Sequence, residues 1–335
     1  MSEAVVPPGG RTAPAVDIVI VNWNAGRHLR ACLRSIVEAD RSRLPVARVV
    51  VVDNASVDGS PDALATPGIP LDVVRNARNV GFAAACNQGA ALCDSGLLLF
   101  LNPDTEIYPD ALRVLGEFLQ TPDAGAYGIF GALMVDEDGR PRISCSRFPS
   151  LRIYVGKMTG LDRLAPSLFP PHHLRPREMP RSGPVDQVIG ACFLVRRTLF
   201  DALRGFDERY FLYLEEVDFA LRARQAGLPS CHVHQARVFH AEEVSSSQLG
   251  AWRHYLMLCS RTRYAFAHWT RPEAWMLTAL SLSVEPVARL AAAVLRGQRA
   301  DVRANLAVQW RFLRWLGEQG RPGAREAATS AGPAF

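Results

Sequence analysis

The chain has 335 residues, 48% of them hydrophobic, and a formal charge of +5 at neutral pH. That is ordinary globular composition, with length enough to bury a full α/β core as one large domain with an appendage or as two domains. Between Ala251 and Arg325 twelve arginines meet four acids, a local +8 that leaves −3 elsewhere, so the C-terminal third calls for a polyanionic surface partner.

The opening MSEAVVPPGGRTAPA reads as a short polar tail, residues 1–15, with no signal peptide. A first strand follows from Asp17 to Trp23, then a helix from Gly26 to Ala39 with Leu29, Leu33, Ile36 and Val37 at helical spacing. The run ARVVVVDN is a second strand ending on the carboxylate of Asp53. After it, Asp58-Gly59-Ser60-Pro61 offers an N-cap ahead of a proline at a first helical position. LDVVRN is a short third strand, and the small residues from Gly81 to Cys93 form a helix able to pack closely on a sheet. Leu97 to Leu101 is a fourth strand, apolar throughout as in a parallel sheet buried on both faces, and it stops on Asn102-Pro103-Asp104. Strand and helix alternating in this way predict a doubly wound, mostly parallel sheet.

Three loops then share the carboxyl edge of that sheet, where open α/β folds bind ligands: Asn22-Trp23-Asn24, Asp53-Asn54 and Asn102-Pro103-Asp104. Asp104 either opens the turn before a helix at Pro109 or serves a divalent cation and, through it, a diphosphate. The first loop reads NWNAGR, not GxGxxG, and no Walker lysine motif occurs, which argues against a dehydrogenase or a P-loop enzyme.

In the second half, Asp186 to Val195 reads as one strand with a glycine at its middle, followed by a helix from Arg196 to Leu203. Glu215, Glu216 and Asp218 open an amphipathic helix, where the helix dipole alone would favour acids; a general base there would instead share a cleft with Asp104. His232 and His234 alternate along a strand-like run that ends at His240. The seven cysteines (32, 86, 93, 145, 192, 231 and 259) are scattered without a CxxC pair, which points to reduced, mostly buried thiols in a cytosolic protein.

The ordered set IVIVNWN, VVVVDNASVDGS, NARNVGFAAACNQG, LLFLNPDTEI, VIGACFLVRR, GFDERYFLYLEEVDFALR and VFH resembles glycosyltransferase family 2, and within it the bacterial rhamnosyltransferases. The resemblance covers roughly residues 16–270. It implies a GT-A fold, with a nucleotide half near 16–107 and an acceptor half near 108–248. It also implies a nucleotide-sugar donor, a divalent metal (manganese or magnesium) and an inverting single displacement. By position, Val21 and Trp23 would border the nucleobase and Asp53 would bond the base or ribose. Asn79 and Gly81 would lie against the nucleotide. Asn102 and Asp104 stand at the family's D-x-D motif, with asparagine in place of the first aspartate, and His240 would complete the metal shell with Asp104. Glu216 falls on the catalytic-base position of the ED-x-D motif, here Glu-Glu-x-Asp, which leaves Glu215 and Glu216 both open as the base. Glu215, Asp218 and Gly190 would serve the acceptor.

Leu151 to Pro184 has no clear period and reads as a mobile loop beside the acceptor cleft or as a surface excursion. From residue 249 to about 320 the chain reads as helical, and 321–335 as a tail. The apolar stretch from Glu273 to Gly297 is broken by Glu285, Pro286 and Arg289, so it predicts an arginine-flanked interfacial helix pair or a buried or dimerising hairpin more readily than a transmembrane span. With nothing resembling a nucleic-acid reader, the polyanionic partner becomes a membrane surface or a glycan. The expectation is a cytoplasmic enzyme at the inner face of the membrane, carrying rhamnose from dTDP-L-rhamnose to a lipid-linked or polysaccharide acceptor. A UDP-hexose donor, a sugar nucleotidyltransferase and a non-catalytic nucleotide- or glycan-binding module are the alternatives.

Overall fold

The computed structural model describes residues 15–241, 246–295 and 299–319; the two terminal tails expected from sequence lie almost wholly outside them. The strands are β1 (Val16–Asn22), β2 (Val46–Asp53), β3 (Leu71–Arg75), β4 (Leu97–Leu101), β5 (Thr105–Ile107), β6 (Ile129–Val135), β7 (Cys145–Ser146), β8 (Ser182–Val185), β9 (Gln187–Val188), β10 (Cys192–Arg196) and β11 (Ser230–His240). The helices are α1 (Arg27–Glu38), α2 (Phe82–Ala90), α3 (Ala111–Leu119), α4 (Leu151–Thr159), α5 (Leu161–Leu164), α6 (Arg197–Ala202), α7 (Glu215–Gln225), α8 (Ala251–His268), α9 (Arg271–Leu282), α10 (Val284–Leu295) and α11 (Arg299–Gln319).

The main sheet runs β3-β2-β1-β4-β10-β6-β11-β5, with β8 beside β11. β3, β2, β1 and β4 are parallel, β10 is antiparallel to both β4 and β6, and β11 returns parallel to β6. Six of the nine strands therefore point one way, as the alternating pattern predicts. The central strands read as apolar runs because both faces are covered. Ile18, Ile20, Val49, Val51, Leu97 and Leu99 meet α1 and α3 through Leu29, Leu33, Ile36, Leu112 and Leu115. Their neighbours Val19, Val50, Val52, Leu98 and Phe100 meet α2, α6 and α7 through Ala83, Cys86, Phe200, Phe219 and Ala223. Each valine, leucine, isoleucine or phenylalanine among them contributes about 1.5–3 kcal/mol on burial. The small residues of α2 let it lie close to β1: a Cβ on Gly89 would stand 2.4 Å from Val19. All seven cysteines are free and buried, as their scattered placement predicts.

The fold departs from the sequence expectation in three places. No helix follows Pro61, because Asp58 spends its carboxylate on the N–H groups of Gly26 and Ser60 and closes a turn instead. The single strand expected over 186–195 is two. β9 pairs with β7 in a separate sheet, and the backbone changes partners around Gly190: Ile189 N–H donates to Ser144, while the Ala191 carbonyl accepts from Asn102. The segment 151–184, expected as a loop, carries α4, α5, a short helical turn and β8. Ser150 caps α4 from one end and Gly160, in the left-handed region, ends it.

The C-terminal region is helical, with the expected pair α9 and α10 separated at Ser283. Among the described residues no helix is long and apolar enough to cross a membrane. α8 is fastened to the sheet-bearing part. Ser260 Oγ donates to the Leu212 carbonyl at 2.8 Å, Arg263 bonds the Arg209 carbonyl, and His268 meets Asp218.

Candidate active site

The loops after β1 and β2 are tied to each other before any ligand is considered. Asn22 Nδ2 donates to Asp53 Oδ1 at 2.7 Å and also lies within hydrogen-bond reach of Ser56 and Ser60. Asp53 Oδ2 accepts from Ser56 N–H, so both oxygens of this 3%-exposed carboxylate are engaged inside the protein. Val21 is buried and Trp23 is half-buried. Asn54 reaches from β2 to the carbonyl of Gly81, and Asn79 accepts from Gly81 N–H, which closes the third loop against the second.

Gly81 has φ +91°, and a Cβ there would stand 2.7 Å from the Phe211 carbonyl oxygen. Its lack of a side chain is thus explained by close approach of the protein's own 205–214 segment. Phe211 O accepts from Phe82 N–H at 2.7 Å at the same place.

β4 ends on the corner that carries Asn102 and Asp104. The Asn102 carbonyl accepts from the backbone N–H and the hydroxyl of Thr105, which locks the bend. β5 then pairs with β11 so that Thr105 lies opposite His240. His240 Nε2 comes to 3.4 Å from Asp104 Oδ1, and the Asp104 carbonyl accepts from Ala241 N–H. A cleft of about 290 Å³ opens beside His240, lined also by Asp136, Asp138, Arg142 and Phe239. One carboxylate and one imidazole this close suit a divalent cation whose remaining positions are filled by ligand oxygens. Among the described residues no group of three or more His, Cys, Asp or Glu offers a closed metal cage.

The acidic segment is presented by an unusual entry into α7. Tyr213 and Leu214, consecutive non-glycine residues, have φ of 72° and 69°. Such positions cost of order 1–3 kcal/mol each and persist only where packing enforces them. Here Leu214 packs with Tyr210, Val217 and Tyr264, the last of these from α8.

The three acids then separate in role. Glu215 is 4% exposed. Burial, and secondarily its neighbour Glu216, push its carboxyl well above the usual range. Glu216 is half-buried, and burial raises its carboxyl too, opposed by the N–H groups of Glu216, Val217 and Leu214 at the helix start. Its Oε2 has no hydrogen-bond partner. Its side chain borders Gly190, where a Cβ would lie 3.4 Å from Glu216 Cγ. Asp218 is committed to the fold: Oδ2 bonds Arg222 at 2.8 Å and Oδ1 meets His268 Nε2 at 2.6 Å.

These contacts gather most of the residues singled out from sequence. Asn102 N–H bonds the Ala191 carbonyl, Ala191 follows Gly190, and Gly190 lies against Glu216, so the loop that carries Asp104 and the segment beside Glu216 are joined through the backbone. Asp218 stands apart from that set, and the space beside Gly190 is shared with Glu216. Phe211 and His268 carry no signal in the sequence. Their roles depend on contacts across 129 and 50 residues of chain, Phe211 with Phe82 and His268 with Asp218, and no local spacing signals those.

A mixed α/β sheet of this order followed by a helical C-terminal region is the GT-A fold. The mannosyltransferase PcManGT from Pyrobaculum calidifontis, solved with GDP-mannose and Mn2+, matches it with a TM-score of 0.52 at 20% identity, over 97% of this chain and 88% of that one. The chain belongs to glycosyltransferase family 2, whose family model, described as "Glycosyl transferase family 2", matches residues 17–204, and it is therefore an enzyme, a glycosyltransferase. It is 31% identical over 281 residues to an N-acetylglucosaminyl-diphospho-decaprenol L-rhamnosyltransferase of Mycobacterium tuberculosis, covering 78% of this chain and 89% of that protein. It is 30% identical over 153 residues to the rhamnosyltransferase WbbL of Escherichia coli K12, covering 44% and 52%.

Proposed function

We propose that this enzyme transfers L-rhamnose, with inversion, from dTDP-L-rhamnose to a hydroxyl of a diphospholipid-linked sugar during cell-surface glycan assembly. The observation that carries the reading is Glu216, a half-buried carboxylate raised by burial and set beside Gly190, one residue from the Ala191 carbonyl that accepts from Asn102 N–H. The likeness to the mycobacterial rhamnosyltransferase supports the choice of sugar and acceptor.

Glu216 would accept the acceptor's proton as its oxygen forms the bond to the anomeric carbon and the bond from that carbon to the diphosphate breaks. Burial raises the carboxyl of Glu216, which makes it a stronger base than an exposed carboxylate. The neighbouring N–H groups hold it oriented. Asp104 and His240 would hold a divalent cation, manganese or magnesium. Such a cation supplies positive charge against the departing diphosphate. Val21, Trp23, Asp53, Asn79 and Gly81 would shape the nucleotide side, with Asp53 contributing through the loop it braces. Glu215 and Gly190 would shape the acceptor side.

The test is a transfer assay with dTDP-L-rhamnose, UDP-galactose and UDP-GlcNAc, each run with Mn2+, with Mg2+ and with chelator. The expected product carries rhamnose of inverted anomeric configuration by NMR, with turnover lost under chelation and restored by metal. Efficient transfer from a UDP-hexose with none from dTDP-rhamnose would overturn the donor assignment.

A further inference from the structure

We propose that His268 is a positioning residue for Glu216, acting through Asp218, so that α8 belongs to the catalytic unit although it lies beyond residue 204, where the family match ends. This rests on reading Glu216 as the base of the transfer.

The first turn of α7 is poorly held by its own sequence. Leu214 precedes it and gives no side-chain cap, where serine, threonine, asparagine or aspartate would secure the free N–H groups. The entry runs through two consecutive residues at positive φ, Tyr213 and Leu214, a conformation that the surrounding structure must enforce. Yet the N–H groups that steady the Glu216 carboxylate are those of Leu214, Glu216 and Val217. The base is placed only as well as this turn.

Asp218 closes the turn, and His268 closes on Asp218. The Asp218 N–H donates to the Leu214 carbonyl at 2.9 Å. Its carboxylate is 4% exposed and engaged at both oxygens. Oδ2 accepts from Arg222 at 2.8 Å, and Arg222 also donates to the carbonyls of Leu203 and Gly205. Oδ1 accepts from His268 Nε2 at 2.6 Å. Arg222 comes from α7 itself, so His268 is the partner that ties the turn to another helix. Its ring lies 4.7 Å from that of Tyr264, which packs with Leu214 and Val217.

The approach to α7 is held independently of His268. From α8, Ser260 Oγ and Arg263 bond the carbonyls of Leu212 and Arg209. From the nucleotide side, Phe82 N–H donates to the Phe211 carbonyl, and Asn87 bonds both the N–H and the carbonyl of Phe206. Removing His268 therefore frees the start of α7 and leaves the turn at Gly81 clasped. A buried carboxylate oxygen that has lost its donor moves to find another, and the turn that carries Glu216 moves with it. At a reacting centre, misplacement by about 1 Å costs as much as about 10²-fold in rate.

The experiment is a double-mutant cycle in the full chain, using the donor that wild type turns over. It measures kcat and donor KM for wild type, Glu216→Gln, His268→Ala and the double variant. Acting through the base, His268→Ala should lower kcat about tenfold with donor KM unchanged within about twofold. In the Glu216→Gln background the same change should cost no more than about twofold, because the group it positions is already gone. His268→Gln, whose amide N–H reaches the same oxygen, should recover most of the turnover. A cooperative thermal transition checks that each variant is folded. If His268→Ala fails that check, His268→Asn, whose shorter amide stops short of Asp218, takes its place in the cycle. Equal losses in the two backgrounds, unchanged kcat in His268→Ala, or a His268→Gln variant as impaired as His268→Ala would each overturn the positioning role. Near-normal turnover by Glu216→Gln alone would instead show that the base reading has failed, and this role with it.

Discussion

Glu215 and Glu216 are neighbours in sequence and differ in what surrounds them. Glu215 is nearly sealed, so its raised carboxyl binds a proton in the folded state that the unfolded chain releases above its ordinary value of 4.5. Its burial therefore costs stability progressively as pH rises through and above that value, and costs nothing below it. Glu215→Gln should raise Tm at pH 8, by about 2–4 °C for each kcal/mol regained, and leave Tm unchanged at pH 4. Calorimetry at the two pH values checks this; a lower Tm at pH 8 would show that the charge of Glu215 is stabilising. For Glu216 the same sign governs the rate. Protonation removes the base, so kcat/KM should fall as pH drops through its raised value, with the midpoint above that of an exposed glutamate. The EEVD motif made these acids legible as a group. Which of them is sealed and which half-buried was not legible, because it depends on tertiary packing such as the contact of Glu216 with Gly190.

Among the elements, α7 and α8 are coupled through a single carboxylate. Asp218 is 4% exposed at the level of its side chain and holds Arg222 and His268 at once, and α8 also supports Leu212 and Arg209 in the loop that sets the strained entry to α7. His268→Ala would leave one oxygen of a buried carboxylate without its partner, at a cost of about 3 kcal/mol in denaturant unfolding. It should also lower kcat about tenfold with donor affinity preserved, because Glu216 shares the first turns of the helix. An unchanged unfolding midpoint would refute the strut. Element types were readable where periodicity is local: β1, β2, β4, α1 and the α9–α10 pair follow their apolar spacing. The split of β9 from β10 was not, since an apolar run looks the same whether its hydrogen bonds go to one sheet or two. The missing helix after Pro61 has a similar cause. Asp58 is a good cap by type, but Gly26, thirty-two residues away, claims its oxygen.

For the molecule as a whole, the helical C-terminal region carries a local charge of +8 and many of the exposed large apolar side chains. Trp275, Val294, Leu295, Leu306, Trp310 and Leu313 are exposed on α9, α10 and α11, with Arg303, Arg311 and Arg314 beside the last three. Exposed tryptophan, leucine and arginine are the side chains that an anionic membrane surface would engage. Trp310→Ala together with Leu313→Ala should weaken sedimentation with phosphatidylglycerol vesicles about tenfold and spare transfer to a water-soluble acceptor; equal binding by variant and wild type would remove the membrane from the account. The +8 of this region was visible in the sequence, whereas the dimerising hairpin that the same apolar stretch allowed is a matter of which faces stay uncovered.

The central claim is that Glu216 is the base of an inverting transfer, and side-by-side kinetics of Glu216→Gln and Glu215→Gln test it most directly. With dTDP-L-rhamnose and a diphospholipid-linked acceptor, Glu216→Gln should lose about 10²–10⁴ in kcat while still being stabilised by donor, and Glu215→Gln should retain most of its turnover. Near-normal turnover by Glu216→Gln, or the larger loss falling on Glu215→Gln, would contradict the account.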